Sequence, residues 1–439
     1  MRGVLIYLVA SMALFGCGQD REARQQQSSK PEIQVIETAG RKTSDGLIAY
    51  TGASLWDGTG DPIIQGSTLI VEDGRIVGVD VDPPSGAEVV DVTGRWIIPG
   101  FINAHGHVSG RWASDNTKEL TARLRADLAL YARYGVTTVL SLGGAPEASF
   151  AIRQGHSSLV HAKLLLAGDV VVGTTPEEVA KIAGQNIKRG VDWLKLRVDD
   201  NLGTNLKMPW TAVQATFDIA KAAEIPVATH IFYMDDAARV LQMGSSLIAH
   251  SVRDQGVTDE FVQTILESGV CYVPTLVREL SAFVYSERPA WFDDPFFLEG
   301  AKVTEMERVT QPDFMEMVKT SRAAAGYRKA LVQAKENLRV IVDAGVPVAF
   351  GTDSGPPGRF PGYFEHLEFG LMVEAGLTPR EILLSATSVA AACLDLDDVG
   401  TLEAGNWADF IVLTKNPLDD IKATRSIERV LVGGKTVRR

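Results

Sequence analysis

The stretch Ile97-Ile98-Pro99-Gly100-Phe101-Ile102-Asn103-Ala104-His105-Gly106-His107 is an apolar run that ends in two histidines one residue apart. Residues 97–103 read as a buried β-strand. Side chains two apart along a strand point the same way, so both imidazoles can reach one ion at its end. The chain has seven histidines, at 105, 107, 156, 161, 230, 250 and 366. Two more of them close apolar runs, His230 in PVATH and His250 in SLIAH, and Asp353 closes PVAFGTD in the same manner.

Working outward, strand-like segments recur at 97–103, 137–142, 163–167, 193–198, 227–231, 247–250, 271–275 and 348–351. Amphipathic stretches at 176–189, 211–223, 235–243 and 258–268 lie between them. Strands alternating with helices give a parallel sheet, and eight such units close an α/β (β/α)8 TIM barrel, with an open doubly wound sheet as the alternative. The C-terminal strand ends of a barrel form its active face, so His105, His107, His230, His250 and Asp353 are expected to converge there.

The barrel reading covers 97–398. On either side, 45–96 and 399–439 are rich in short apolar bursts and turn signals. One of these signals, Asp73-Gly74, sits inside STLIVEDGRIVGV and predicts a hairpin. The two ends together predict one small, discontinuous β-sandwich domain, with two unrelated terminal embellishments as the alternative. The segment 277–339 exceeds ordinary loop lengths and reads as a helical insertion over the barrel mouth. Its aromatics, Phe283, Tyr285, Trp291, Phe292, Phe296 and Phe297, suit either a substrate pocket or a local core.

The ordered set PGFINAHGH, the two later strand-terminal histidines, GTDSG and the C-terminal LEAGNWADFIVL resembles the metal-dependent amidohydrolase superfamily. Within it the likeness is to imidazolonepropionase-like and Xaa-Pro-dipeptidase-like branches. The resemblance implies a metal-dependent amidohydrolase that cleaves an amide C–N bond with a metal-bound hydroxide. Two divalent ions are implied, zinc first, with manganese, cobalt or iron as substitutes. His105, His107 and Asp353 would hold one ion and His230 and His250 the other. Asp353 would also serve as general base. Lys195, in Trp193-Leu194-Lys195-Leu196-Arg197, is odd on an inner strand because an unpaired buried ammonium is costly. The resemblance implies that it is carboxylated to N6-carboxylysine and bridges the ions; pairing with Asp199, Asp200 or Asp353 around a single metal is the alternative. Arg197 lies on the same side of the strand.

Substrate contacts rest on weaker signals. Tyr233, three residues past His230, suits an oxyanion or a substrate carboxylate. Arg253 and Arg278 follow strands and suit a bidentate carboxylate clamp. His366 lies on an amphipathic stretch just beyond the Gly/Pro-rich loop after Asp353. His156 and His161 receive no role. The expected substrate is a small amide, a dipeptide or an N-acyl amino acid. A lactonase or phosphotriesterase on the same centre, and a non-catalytic metal- or solute-binding lipoprotein, are the competing readings.

The chain has 439 residues, 45% apolar and 22% charged, and is long enough for a large core. Its 43 basic and 55 acidic residues leave a net charge of −12, which argues against a nucleic-acid partner. Residues 1–16 read as a signal peptide: Arg2 precedes the uncharged run from Val4 to Phe15, too short to span a bilayer. Leu14-Phe15-Gly16-Cys17 resembles a bacterial lipobox, which implies lipidation of Cys17 and a polar tether over 17–44. The resulting expectation is an exported lipoprotein at the outer membrane facing the periplasm. It would meet the membrane through its lipid anchor alone, with homo-oligomerisation left open. Three cysteines, at 17, 271 and 393, predict no disulfide framework.

Overall fold

The computed structural model describes residues 46–109, 117–154 and 160–437. The expectations for the signal, tether and Cys17 fall outside these residues, as does His156. From Gly46 onward the chain forms one compact unit.

The chain enters through β1 (Ile48–Leu55), β2 (Ile64–Glu72), β3 (Arg75–Val79), β4 (Glu88–Asp91) and β5 (Trp96–Pro99). β2 and β3 pair antiparallel around Asp73-Gly74, and both turn residues have positive φ, 50° and 82°. That geometry matches the right-handed twist of the flanking strands and favours a glycine at the second position. The barrel follows: β6 (Phe101–Gly106), β7 (Val136–Ser141), β8 (Lys163–Leu166), β9 (Leu194–Arg197), β10 (Val227–His230), β11 (Leu247–Ala249) and β12 (Cys271–Val273). The chain then returns through β13 (Phe410–Leu413), β14 (Ile427–Val432) and β15 (Lys435–Val437).

β13 to β15 join β1 to β5 in a single sheet, in the order β15-β14-β13-β5-β1-β2-β3 with β4 beside β1. The run read as one strand over 97–103 is therefore divided. Its first half, in β5, pairs antiparallel with β13, and its second half begins the barrel. One face of the sheet has its own core of Tyr50, Leu55, Leu69, Ile97, Phe410 and Leu431. Ile98, Ile411 and Val430 join the large cluster around the barrel helices instead.

The eighth barrel position is filled by 347–354. Ala349 donates to the Tyr272 carbonyl (2.9 Å), Ala104 to Phe350 (2.8 Å), Thr352 to His105 (3.1 Å) and His107 to Ser354 (2.8 Å). This segment thus bonds to strands on both sides and closes the ring beside His105. Gly351 permits the approach, since a Cβ there would stand 2.5 Å from Val273 Cγ1 and 2.9 Å from His105 Cβ. Between β8 and β9, Val171 donates to the Lys195 carbonyl (2.7 Å). Ile102, Ala104, Leu140, Trp193, Ala228, Leu247, Ala249, Val273 and Ala349 fill the interior, as layered barrel cores do.

One feature decides between two open sequence readings, and one departs from the sequence expectation. Of the two readings open for the insertion's aromatics, Trp291, Phe292, Phe296 and Phe297 take the local core. Phe292 stacks on Phe297 with centroids 5.1 Å apart, and Trp291 packs edge-on against Phe292, Phe297 and Phe364. Phe296 and Phe297 are buried with them. Second, Cys271 and Cys393 form a disulfide across 122 residues, with Cα atoms 5.8 Å apart. It fastens the start of β12 to the end of the helix Ser388–Cys393, two elements that no local spacing relates.

Closing so long a loop restricts the unfolded chain strongly. The double variant Cys271→Ser/Cys393→Ser should lose about 2–5 kcal/mol in urea unfolding. Wild type in reductant should match it, and an unchanged midpoint on reduction would show that the pair contributes nothing in solution. No helix of the described residues is long and apolar enough to cross a membrane.

Candidate metal centre

The C-terminal ends of β6, β9, β10 and β11 and the closing segment carry His105, His107, Lys195, His230, His250 and Asp353 to one place. The rings of His105 and His250 lie 4.7 Å apart, those of His230 and His250 4.1 Å, and those of His105 and His107 5.6 Å. Ligating atoms of His105, His250 and Asp353 all lie within 4.8 Å of one another. Asp353 Oδ1 is 2.7 Å from His107 Nε2 and 3.7 Å from His105 Nε2.

The backbone is bent to make this convergence. His250, Thr275 and Asp353 all adopt left-handed φ values, 74°, 49° and 56°. Such conformations are costly for residues with a Cβ and persist where the surroundings enforce them. His107 Nδ1 bonds the Gly143 carbonyl at 3.0 Å, and His250 Nδ1 bonds Thr275 Oγ1 at 2.7 Å. In both rings one nitrogen is thereby occupied and Nε2 is left for the centre.

Several buried polar atoms here have no hydrogen-bond partner among the described residues, Lys195 Nζ, His105 Nδ1 and Asp199 Oδ2 among them. Unpaired buried polar groups are expensive, and a cluster of them in a folded protein needs an explanation. Divalent ions on these N and O donors would supply it, so the residues fit such a centre.

Burial, first of all, holds His105 and His250 well below the ordinary imidazole range and brings His230 to about 4. All three are neutral, as ligands must be. Burial also lowers the Lys195 amine to about 7, against the pull of Asp353 and Asp199. For Asp353, burial pushes upward, but the Arg359 charge and the His107 hydrogen bond outweigh it and keep the carboxyl well below its usual value.

A cavity of about 380 Å³ opens beside His107, lined by Ser109, Gly143, Gly144, Val170 and Pro356. A larger depression of about 840 Å³ lies at the other end of the barrel, against Trp193, Val227 and Cys393. It is remote from every residue of the cluster, and the smaller one is the relevant opening.

The amidohydrolase family pattern matches residues 96–437. The chain belongs to the amidohydrolase family. It is 26% identical over 402 residues to an uncharacterized protein of Mycobacterium tuberculosis, covering 86% of this chain and 94% of that one. It is 24% identical over 385 residues to imidazolonepropionase of Streptomyces griseus, covering 82% and 88%. A putative prolidase from Bifidobacterium longum has the same fold, with a TM-score of 0.72 at 24% identity over 90% and 95% of the two chains. The protein is thus a hydrolase of carbon–nitrogen bonds, of a family that uses divalent metals, and a purely storage or solute-binding role is set aside.

Two of the substrate contacts expected for this amidohydrolase are corrected. His366 is buried away from the centre. Its Nδ1 meets Thr424 Oγ1 at 3.1 Å and its Nε2 the Tyr134 carbonyl at 3.0 Å, among Phe101, Phe296 and Phe369. Arg253 is also fully buried. It pairs with Glu279 at 3.0 Å and donates to the Ile231 carbonyl at 2.9 Å, so it cannot reach a substrate. Tyr233 lies at the rim, its hydroxyl donating to Asp200 Oδ1 at 2.8 Å. Arg278 does reach the centre, with Nε 4.0 Å from Asp353 Oδ2. Arg197 is more exposed, and its Nε stands 3.8 Å from Asp199 Oδ1. His161 is buried against its neighbours, its Nδ1 2.8 Å from the Ala162 carbonyl.

The structure adds residues that the sequence did not single out for these roles. Asp199, four residues after Lys195, stands 3.2 Å from His230 Nε2. Arg359 Nη1 reaches Asp353 Oδ2 at 2.5 Å. Beneath them, the helix Tyr363–Glu374 contributes two completely buried carboxylates. Glu365 Oε1 accepts from Asn103 Nδ2 (2.8 Å), Thr352 Oγ1 (2.8 Å) and Ser354 Oγ (2.6 Å), and Asn103 Oδ1 accepts from the His105 amide (2.9 Å). Glu368 accepts from the amides of Leu276 and Val277, just after Thr275, the partner of His250.

One helix therefore seats the backbone that carries His105 and Asp353 as well as the residue that orients His250. Glu365→Gln would put an amide N–H₂ among these donors. It should weaken metal binding about 10- to 100-fold in equilibrium dialysis while circular dichroism stays native. An unchanged metal affinity would count against a positioning role for Glu365.

Proposed function

We propose that this amidohydrolase is an exported binuclear metalloenzyme that hydrolyses the amide bond of a dipeptide or an N-acyl amino acid. The observation that carries the reading is the cluster of neutral imidazoles, an unpaired amine and a charged carboxylate at the barrel's active face. His105, His107 and Asp353 would hold one ion, His230 and His250 the other, with Lys195 between them. The N and O donors suit zinc, and manganese, cobalt or iron are accepted by the same set.

Bound ions of this kind supply Lewis acidity and make water ionisable near neutral pH. Lys195, with its amine lowered to about 7 by burial, is nucleophilic toward CO2. Its nitrogen would form the N–C bond and lose a proton, leaving a carbamate anion where an unpaired cation is unfavourable. Asp353 would take the proton of the attacking water and pass it to the leaving amine. Tyr233, its hydroxyl now on Asp200, would turn to the carbonyl or carboxylate of a bound substrate.

The dipeptide reading draws support from the fold shared with a putative prolidase, and the smaller C–N substrate class from imidazolonepropionase. Export is supported by the signal-like residues 1–16 and by the Cys271–Cys393 disulfide, since such bonds persist in oxidising compartments. Lipidation at Cys17 and an outer-membrane position complete the proposal, and a Cys17→Ser variant that still incorporates labelled fatty acid would overturn the lipid anchor. The substrate test is a panel of dipeptides and N-acyl amino acids run beside lactones and phosphotriesters on metal-loaded protein. Turnover confined to lactones or phosphotriesters would overturn the amide reading.

A further inference from the structure

The wall of the centre on the Asp353 side carries the guanidiniums of Arg253, Arg278 and Arg359 beside the carboxylates of Glu279, Asp353 and Asp199. Glu279 is fully buried and shared by Arg253, at 3.0 Å, and Arg278, at 2.9 Å. Among the described residues Arg359 pairs with Asp353, its Nη1 reaching Oδ2 at 2.5 Å and the backbone carbonyl at 3.1 Å. Arg278 Nε approaches the same Oδ2, at 4.0 Å. Two guanidiniums thus converge on one carboxylate oxygen, and the proposed chemistry takes that carboxylate for itself. Both keep accessible surface, 21% of the Arg359 side chain and 11% of Arg278, whereas Arg253 has none.

Arg278 is also held in place. Its Nη2 donates to the Tyr327 hydroxyl at 3.2 Å and its guanidinium lies over the Tyr327 ring at 4.4 Å. Tyr327 in turn donates to Asn201 at 2.7 Å. A fixed planar fork of this kind suits bidentate recognition of a carboxylate.

The position of the pair says which carboxylate. Asp353 hands a proton to the leaving nitrogen. In an amino acid the carboxylate carbon lies only about 2.5 Å from that nitrogen, across one Cα. A substrate whose leaving amine is within reach of Asp353 therefore brings its α-carboxylate to the guanidiniums that touch Asp353.

We propose that Arg359 and Arg278 form the anchor for the α-carboxylate of the leaving amino acid, so that the enzyme selects substrates with a free carboxylate next to the scissile amide. The proposal rests on the amide-hydrolysis reading above. It replaces the expected pair Arg253 and Arg278 by one in which Arg359, from the loop after the closing segment, is the partner.

The test compares each substrate with its C-terminal carboxamide, in a dipeptide series and an N-acyl series that separate the two sources of the carboxylate. Wild type should prefer the carboxylate form by about 100-fold in kcat/KM. Arg359→Met should lower kcat/KM for that form about 10- to 100-fold, chiefly through KM. On the carboxamide, where only the support of Asp353 is lost, the fall should be about 10-fold smaller, with metal content unchanged. Arg359→Lys, which keeps the charge without the fork, should fall between. Equal losses on both forms, or loss of metal, would show that Arg359 only holds Asp353 and would overturn the anchor.

Calorimetry on the metal-loaded protein separates this outcome from failure of the hydrolysis reading. Free amino acids should bind more tightly than their amides, and Arg359→Met should remove the difference. Equal binding by wild type would overturn the anchor even if amides are hydrolysed. An Arg359-dependent preference would uphold it even if no amide in the panel is turned over.

Discussion

Lys195→Ala should bind at most one metal ion per chain where wild type binds about two, and should lose at least about 10³-fold in kcat/KM. The expectation follows from the burial of the amine. Lys195 is 3% exposed, its Nζ has no hydrogen-bond partner among the described residues, and Trp193, two residues before it, belongs to the apolar barrel interior. A lysine kept as a cation in such a place would need a carboxylate in contact, yet none is bonded to it. Converted to a carbamate, as proposed, it would become an anion with two oxygen donors, and bound ions would then balance its burial.

Removing the side chain removes that bridge but none of the imidazoles, so loss should fall on metal stoichiometry first and on rate through it. Elemental analysis after reconstitution reads the first effect. Omitting bicarbonate during reconstitution should lower metal uptake by wild type and leave Lys195→Ala unaffected. One ion per chain in both proteins, with no bicarbonate effect, would reject the bridge and favour a single-metal site with Lys195 as a plain amine.

How far the sequence reached depends on what each inference needed. The paired histidines, the strand-terminal His230 and His250, and Asp353 were legible because strand geometry places them by local rules: a period of two, and a common active face for all strand ends. Lys195 was legible as a polar residue flanked by leucines. Arg253 and Arg278 could not be told apart, since both follow strands, and only tertiary packing buries the first and leaves the second partly open.

His366 misled for a related reason. Its helix looks amphipathic, but Tyr363, Phe364, Glu365, His366, Glu368 and Phe369 are all buried, because the helix packs between the barrel, the insertion and the β domain. The Cys271–Cys393 bond and the Arg359–Asp353 contact were illegible by different routes. The cysteines are 122 residues apart, and Arg359 sits in a loop of glycines and prolines that carries no periodicity.

Asp353→Asn should retain the fold and lose about 10²–10⁴-fold in kcat, the range of a removed general base. Asparagine has the same shape, and its one carbonyl oxygen can still accept from either His107 or Arg359, though not serve both as the carboxylate oxygens do at 2.7 Å and 2.5 Å. What disappears is the negative charge and with it the capacity to take a proton. Since Asp353 is also among the residues suited to hold an ion, the variant should weaken metal binding as well. The two effects separate by titration. If Asp353 only held metal, kcat at saturating metal would return to the wild-type value. If it carries the proton, the deficit persists at full occupancy. A deficit that persists for substrates with poor amine leaving groups and shrinks for those whose leaving group needs no proton would assign the loss to the delivery step. Wild-type turnover by Asp353→Asn at any metal concentration would remove Asp353 from the chemistry altogether.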